Sequence, residues 1–206
     1  MMALDLEQGT QEWLAARAGK VTASRISDVL SKIKSGEART RRDYRYQIMA
    51  EILTGKPQES GFINAEMTWG TEQEPYARAA YELKAGVLVD QVGFIIHPTI
   101  ERAGASPDGL VGDGILEIKC PKTSTHCAYL TDNVVPQQYH AQMQWQMACA
   151  GRPWNDFVSF DPRLPDNLQL FVCRLKRDDN QILMMEAEVV LFLSEVDRMI
   201  LKLKTR

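Results

Sequence analysis

A chain of 206 residues with 27 acidic and 24 basic side chains, formal net charge −3, is long enough for one domain with a proper core or at most two small ones. That balance excludes a global attraction to nucleic acid or an anionic membrane, so a polyanionic partner needs a local basic patch or bound cations. The four cysteines, Cys120, Cys127, Cys149 and Cys173, form no CxxC pair, which argues against a zinc ribbon or an iron–sulfur cluster.

The N-terminus MMALDLEQGTQEW has no basic start followed by an apolar run, and the longest apolar stretch, VVLFL (189–193), is too short to span a bilayer. A reducing cytoplasm, free thiols and no membrane association are expected. In chain order, TQEWLAARAGK predicts a helix capped by Thr10 and ending near Gly19. TASRISDVLSKIK predicts a helix opened by Thr22, with Ile26, Val29, Leu30 and Ile33 on one face. TRRDYRYQIMAEILTGK predicts a third, from Thr40 to a C-cap at Gly55. A fourth covers roughly 66–85, with Tyr76, Ala80 and Leu83 as its stripe and Pro75 marking a fresh start or a kink.

The pattern then changes. VLVD, VGFIIHP, RAGASPDG and GILEIKCP are short, β-branched and bounded by Gly or Pro, and they read as strands. PQQYHAQMQWQMACAG returns to helix, with Pro136 in a favourable first-turn position. DFVSFDP and NLQLFVCRL read as two more strands, and DDNQILMMEAEVVLFLSEVDRMILKLK as a long closing helix. With no repeat and no low-complexity linker, residues 1–206 are expected to form a single α/β domain. Its mixed central β-sheet would be flanked by helices, with a helical N-terminal part.

The stretch GASPDGLVGDGILEIKCP (104–121) places Asp108, Glu117 and Lys119 among Gly, Ile and Leu. Glu117 and Lys119 are two apart, so on a strand they share a face while Leu116 and Ile118 pack on the other. If VGDG reverses the chain, Asp108 returns beside Glu117. Converging carboxylates repel unless a cation lies between them, and hard oxygen donors suit Mg²⁺ or Mn²⁺. Such an ion acidifies water and neutralises charge on a phosphoryl oxygen, and a nearby ammonium orients the water or stabilises the transition state. These are the parts needed to hydrolyse a phosphodiester. A Pro–Asp–Gly turn is common, however, and Glu–x–Lys can equally be a surface ion pair. Ile115, Leu116 and Ile118 favour the hydrolytic reading because they imply a buried strand, where charges need partners.

SPDG followed by LEIK resembles the PD-(D/E)xK nuclease superfamily, and within it the phage lambda-exonuclease type, the YqaJ-like viral recombinases. The resemblance spans most of the chain: WLAARAGKVTAS (13–24), WGTEQEPYAR (69–78), GASPDGL, LEIKCP, HAQMQWQM (140–147) and DPR (161–163), in this order. YLTDNVVPQQY fills that family's variable insertion. The resemblance implies a restriction-endonuclease-like core. It implies that Asp108, Glu117 and the backbone carbonyl of Ile118 bind the metal, with two Mg²⁺ ions (Mn²⁺ possible) and Glu74 completing the site. Lys119 would position or activate the attacking water, and Gln142 would lie beside the scissile phosphate. Arg17, helped by Thr22 and Ser24, would bind the 5′-terminal phosphate. The implied activity is processive 5′-to-3′ digestion of linear double-stranded DNA to 5′-mononucleotides by a homotrimeric ring. A single-strand annealing protein then loads on the 3′ strand.

Read without the resemblance, Glu74 and Arg78 form an i, i+4 ion pair, and Arg17 is as readily a surface arginine as a phosphate ligand at a helix N-terminus. ARTRRDYR (38–45) is the densest basic patch. Arg41, Arg42 and Arg45 could grip duplex backbone or simply start a solvated helix. Cations at a helix N-terminus oppose the macrodipole, which tilts the reading toward DNA. Trp13, Trp69, Met143, Trp145 and Met147 read as packing residues. His97, His126 and His140 form no HxH or HExxH, and Cys120 reads as a small apolar residue. Two further functions compete: a related endonuclease or RecB-like nuclease module, and a non-catalytic DNA clamp. A covalently closed plasmid separates the first from an exonuclease, and the uninterrupted Asp108, Glu117 and Lys119 argue against the second.

Overall fold

Thr10 stands in extended backbone, and its hydroxyl accepts the Trp13 N–H at 3.3 Å, which starts α1 (Gln11–Arg17) where the sequence places it. The structure is a computed structural model that describes residues 2–58 and 65–205. The second helix is shorter than expected. Thr22 makes no side-chain cap bond; a 3₁₀ turn (Ala23–Arg25) leads into α2 (Ile26–Val29), and Ile33 is exposed beyond its end. Past Leu30 the polar run KIKSGE offers only Ile33 to bury, and Gly36 takes φ +83°, so nothing extends the helix. The third, α3 (Arg39–Thr54), closes on Gly55 at φ +65° as expected.

Pro75 sits inside α4 (Ala65–Ala85) without starting a new helix. The buried face carries Ala77 and Tyr81; Ala80 packs at its margin, while Tyr76 and Leu83 are exposed. The expected stripe is therefore rotated, because the Tyr81 hydroxyl donates to Asp156 at 2.8 Å and can be buried with its polar end satisfied.

The α/β class stands, but the strands divide between two four-stranded mixed sheets. The first comprises β1 (Met2–Leu4), β2 (Val21–Thr22), β3 (Phe94–Ile96) and β4 (Ala103–Ala105), in the order β1-β3-β4-β2, with only β2 and β4 parallel. The second comprises β5 (Gly109–Val111), β6 (Gly114–Lys119), β7 (Trp154–Phe160) and β8 (Leu170–Lys176), in chain order, with only β6 and β7 parallel. Pro107, in the link from β4 to β5, lacks an N–H and cannot donate to a ladder there, and the chain passes from one sheet to the other at this point. VLVD contributes only a bridge from Asp90 to Leu110.

Two helices complete the frame of the site. The apolar positions of α7 (Asp179–Lys204) recur at three and four: Ile182, Met185, Val189, Phe192, Val196 and Ile200 are buried. By contrast α6 (Gln137–Ala150) is buried on all sides from Met143 onward, because it packs against strands of both sheets. Its glutamines therefore need partners, and Gln144 finds them by donating to the Lys176 carbonyl at 2.8 Å and accepting the Asp178 N–H at 3.0 Å. A further helix not expected from sequence, α5 (Thr123–Asp132), ends on Asn133 at φ +53°. Its TSTHCAYLTD run carries little helical periodicity.

The basic start of α3 is occupied within the chain. Arg41 and Arg45 each reach Glu195 of α7 at 2.7 Å, and Glu37 lies at 2.9 Å from Arg41 and 2.7 Å from Arg45. These two acids offset the macrodipole conflict that had tilted the reading toward DNA, and in the structure Arg41 and Arg45 form a clasp between α3 and α7. Arg42 pairs with Asp43 at 3.0 Å and stays half exposed. Glu195→Gln should lower stability by about 2 kcal/mol, between the surface and buried ion-pair regimes. Chemical denaturation checks this, and an unchanged midpoint would refute the clasp.

Candidate active site

The LVGDG segment turns back through Gly112, whose φ of +54° favours glycine, and pairs Gly109 with Leu116. Gly109 is itself needed, because a Cβ there would lie 2.1 Å from Val89 Cγ1. The hairpin returns Asp108 as the sequence suggests. Its N–H donates to the Leu116 carbonyl at 3.2 Å, and its Oδ2 accepts the Ile118 N–H at 2.6 Å. A strand residue's N–H and C=O leave on the same side, so the Ile118 carbonyl also faces the Asp108 edge.

On the other face of β6, Leu116 and Ile118 pack with Ala77, Tyr81 and Val158. Glu117 is 1 % exposed yet fully partnered. Lys119 Nζ donates to its Oε1, Gln142 Nε2 donates to the same oxygen at 2.6 Å, and Gln146 Nε2 donates to Oε2 at 2.5 Å. Asn155 Nδ2 in turn donates to Gln146 Oε1 at 2.6 Å. Gln146 and Asn155 thus brace the carboxylate from behind. Sequence reading missed both; the only signal was a third glutamine in the HAQMQWQM run, one turn beyond Gln142.

Glu74 approaches from α4. Arg78 donates to its Oε1 at 2.5 Å, so the plain i, i+4 pair does form, and the same carboxylate feels the charges of Lys119 and Glu117. With Asp108, Arg78, Gln91 and Trp13 it lines an open cleft of about 700 Å³. Burial and repulsion from Glu117 push the Asp108 carboxyl well above its ordinary range. Burial, with a smaller push from Glu117, raises Glu74 against the pull of Arg78 and Lys119. Burial alone would lower the Lys119 pKa, but the negative charges of Glu117 and Asp108 outweigh it and hold the ammonium protonated.

A divalent ion fits this donor set. Two carboxylates and a carbonyl are hard oxygen ligands, their mutual repulsion is what a cation relieves, and Mg²⁺ takes only one or two carboxylates from a protein. Among the described residues no three Asp, Glu, His or Cys side chains converge closely enough to form a closed cage.

The remaining expected site residues gather on the N-terminal side. Arg17 and Thr22 line one small recess with Lys20, Arg25 and Tyr44. Thr22 Oγ1 lies 3.3 Å from Ser24 Oγ, so these two hydroxyls share a hydrogen bond. Buried Glu51 lines the same recess and accepts the Gly19 N–H at 2.7 Å. The DPR segment has a bracing role. Arg163 binds Asp161 at 2.7 Å, donates to the Pro121 carbonyl at 3.2 Å and lies 4.5 Å over the Trp69 ring, so it pins the chain just past Lys119. Burial would raise the Asp161 pKa, but hydrogen bonds from Arg163 and Thr123 hold it at about 2 against an ordinary 3.8. A depressed carboxylate contributes stability in full above its unfolded value and loses it as pH falls toward the folded one. The melting-temperature gap between wild type and Asp161→Asn should therefore be widest above about pH 4 and shrink toward pH 2. A gap constant over that range would contradict the assignment.

A two-sheet α/β frame with a carboxylate pair and a lysine on one hairpin defines a class, and comparison with known proteins gives the family. Residues 12–153 match the YqaJ-like viral recombinase domain, and the chain belongs to that family. Among solved structures it is similar to LHK-Exo, an alkaline exonuclease from Laribacter hongkongensis. The identity is 50% and the TM-score 0.88, covering 95% of this chain and 97% of that one; one of the two structures is a complex with dAMP. A phage-related exonuclease from Haemophilus somnus 129PT, 17% identical with TM-score 0.72 over 89% of this chain and 96% of that one, shares the fold. No curated protein matched the chain.

Proposed function

We propose that this protein is a Mg²⁺-dependent 5′-to-3′ exonuclease acting as one nuclease unit. It digests one strand of linear double-stranded DNA to 5′-mononucleotides and leaves 3′ single strands for recombination by single-strand annealing. The observation that carries this reading is the hairpin that sets Asp108 beside the strand bearing Glu117, whose carboxylate accepts from both Lys119 and, from the helix behind, Gln142. Family membership and the 50% identity to an alkaline exonuclease support it.

Asp108, Glu117 and the Ile118 carbonyl would hold the metal, Mg²⁺ or Mn²⁺, with Glu74 serving a second ion. When bound, the metal neutralises phosphoryl charge and lowers the pKa of water. Lys119 keeps its proton and orients the attacking water, and Gln142 fixes both Glu117 and the approach to the phosphate. Gln146 and Asn155 keep the Glu117 carboxylate from rotating. Arg17, Thr22 and Ser24 would receive the 5′-terminal phosphate, and Arg42, half exposed at the basic start of α3, would contact duplex backbone. The reading includes a homotrimeric ring around DNA and an annealing protein as partner. No helix among the described residues is long and apolar enough to cross a membrane.

Incubating linear and covalently closed duplex DNA with Mg²⁺, and again with chelator, tests the proposal. Loss of the linear form alone, and only with Mg²⁺, is expected. Nicking of the closed circle would favour the endonuclease reading, and binding without cleavage would favour the clamp. Arg17→Ala should lose most of the preference for 5′-phosphorylated over 5′-hydroxyl ends, by roughly tenfold, as expected for one charge-assisted contact. Equal digestion of both by wild type and variant would remove that assignment.

A further inference from the structure

The proposed end-phosphate site and the proposed hydrolytic site lie on different elements. Arg17 is on α1, and Asp108 follows the Ser106–Pro107 link between the two sheets. One side chain touches both. The Arg17 guanidinium carbon lies 3.8 Å from the centroid of the Trp13 ring, a close cation–π stack. The indole Nε1 of the same residue donates to Ser106 Oγ at 2.9 Å and to the Gly93 carbonyl at 3.2 Å. Gln8 reinforces this contact, because its Nε2 donates to the Pro107 carbonyl at 2.9 Å and the Val92 carbonyl at 2.8 Å. The N-terminal segment therefore grips the two residues immediately before Asp108 through two side-chain donors, and the Trp13 face carries Arg17.

We propose that Trp13 is a positioning residue that sets the Arg17 guanidinium in register with the turn bearing Asp108, so that a strand held by its terminal phosphate presents the correct bond for cleavage. The proposal rests on the exonuclease reading above. The two contacts of Trp13 are separable. Phenylalanine keeps a ring under Arg17 but loses the donor to Ser106; leucine loses both. Ser106→Ala removes the same hydrogen bond from the other side.

The test measures kcat and KM on linear duplex with 5′-phosphoryl and 5′-hydroxyl ends, alongside the melting temperature of each variant. Trp13→Phe should lower kcat roughly tenfold on both end types and keep the wild-type end preference, since misplacing a reacting group by a fraction of an ångström costs rate without removing the phosphate contact. Ser106→Ala should lower kcat in the same direction, and the double variant should be no slower than Trp13→Phe, which already lacks the bond to Ser106 along with the one to Gly93. Trp13→Leu should in addition bring the end preference to within about twofold of unity, as loss of the stacking face shifts the guanidinium from its register. A purely structural role would lower melting temperature and active fraction but leave preference and KM alone.

Wild-type kcat in Trp13→Phe or Ser106→Ala, additive losses in the double variant, or full preference in Trp13→Leu would each overturn the proposal. If Trp13→Phe does not fold, Ser106→Ala at wild-type kcat still overturns it. A wild type that cleaves without any end preference overturns the proposal and the Arg17 assignment together. Normal wild-type preference with unaffected variants overturns the proposal alone.

Discussion

Asp108→Asn should leave linear duplex essentially uncut, with the cleavage rate down by roughly a thousandfold or more, equivalent to about 4 kcal/mol of transition-state stabilisation. Affinity for DNA ends should change little, because the proposed end-phosphate recess around Arg17 and Thr22 is built from other elements. The amide is isosteric and can still accept the Ile118 N–H that Asp108 Oδ2 accepts at 2.6 Å. It also removes a buried charge repelled by Glu117. Without divalent ions the variant should therefore melt at or above the wild-type temperature. An inactive but destabilised variant would mean that the loss reflects misfolding of the hairpin.

Lys119→Met should also cost roughly a hundred- to a thousandfold in rate, the range for removing one preorganised group that faces developing charge. Its effect on stability has the opposite sign. Lys119 is the cation that offsets the charges of Glu117 and Asp108, and the ammonium donates to a Glu117 oxygen that Gln142 also binds. Its removal leaves two close carboxylates without a neutralising partner, so the melting temperature should fall. Both single-turnover rates and thermal melts are needed. Two inactive variants that shift the melting temperature in opposite directions fit the arrangement described, whereas equal shifts would not. Activity retained in Lys119→Met would remove the lysine from the chemistry.

The centre of the site was legible because its geometry is local. Alternation along LEIK puts Glu117 and Lys119 on one face at any strand position, and SPDG with VGDG announces a hairpin whose ends must meet. Helix ends carried by one residue, Thr10 and Gly55, were legible for the same reason. What failed depends on distant partners. Nothing near Arg41 and Arg45 indicates that Glu195, about 150 residues away, neutralises them. The α4 stripe was misplaced because Tyr81 is buried only where Asp156 receives its hydroxyl. The chain passes between the two sheets at Pro107, which the sequence displays, but that a second sheet begins there depends on β2 and β7 pairing far along the chain. Gln146 and Asn155 escaped notice since a buried amide looks the same in sequence whether it braces a carboxylate or a backbone, as Gln144 does.

A linear duplex labelled on either the 5′ or the 3′ end, incubated with the protein and Mg²⁺, tests the central claim most directly. The hydrolytic role proposed for Asp108, Glu117 and Lys119 and the end-phosphate role proposed for the Arg17 recess together predict early release of the 5′ label as a mononucleotide, with the 3′ label retained on a long single strand and no release in chelator. Release of the 3′ label first, or no Mg²⁺-dependent release of either, would contradict it.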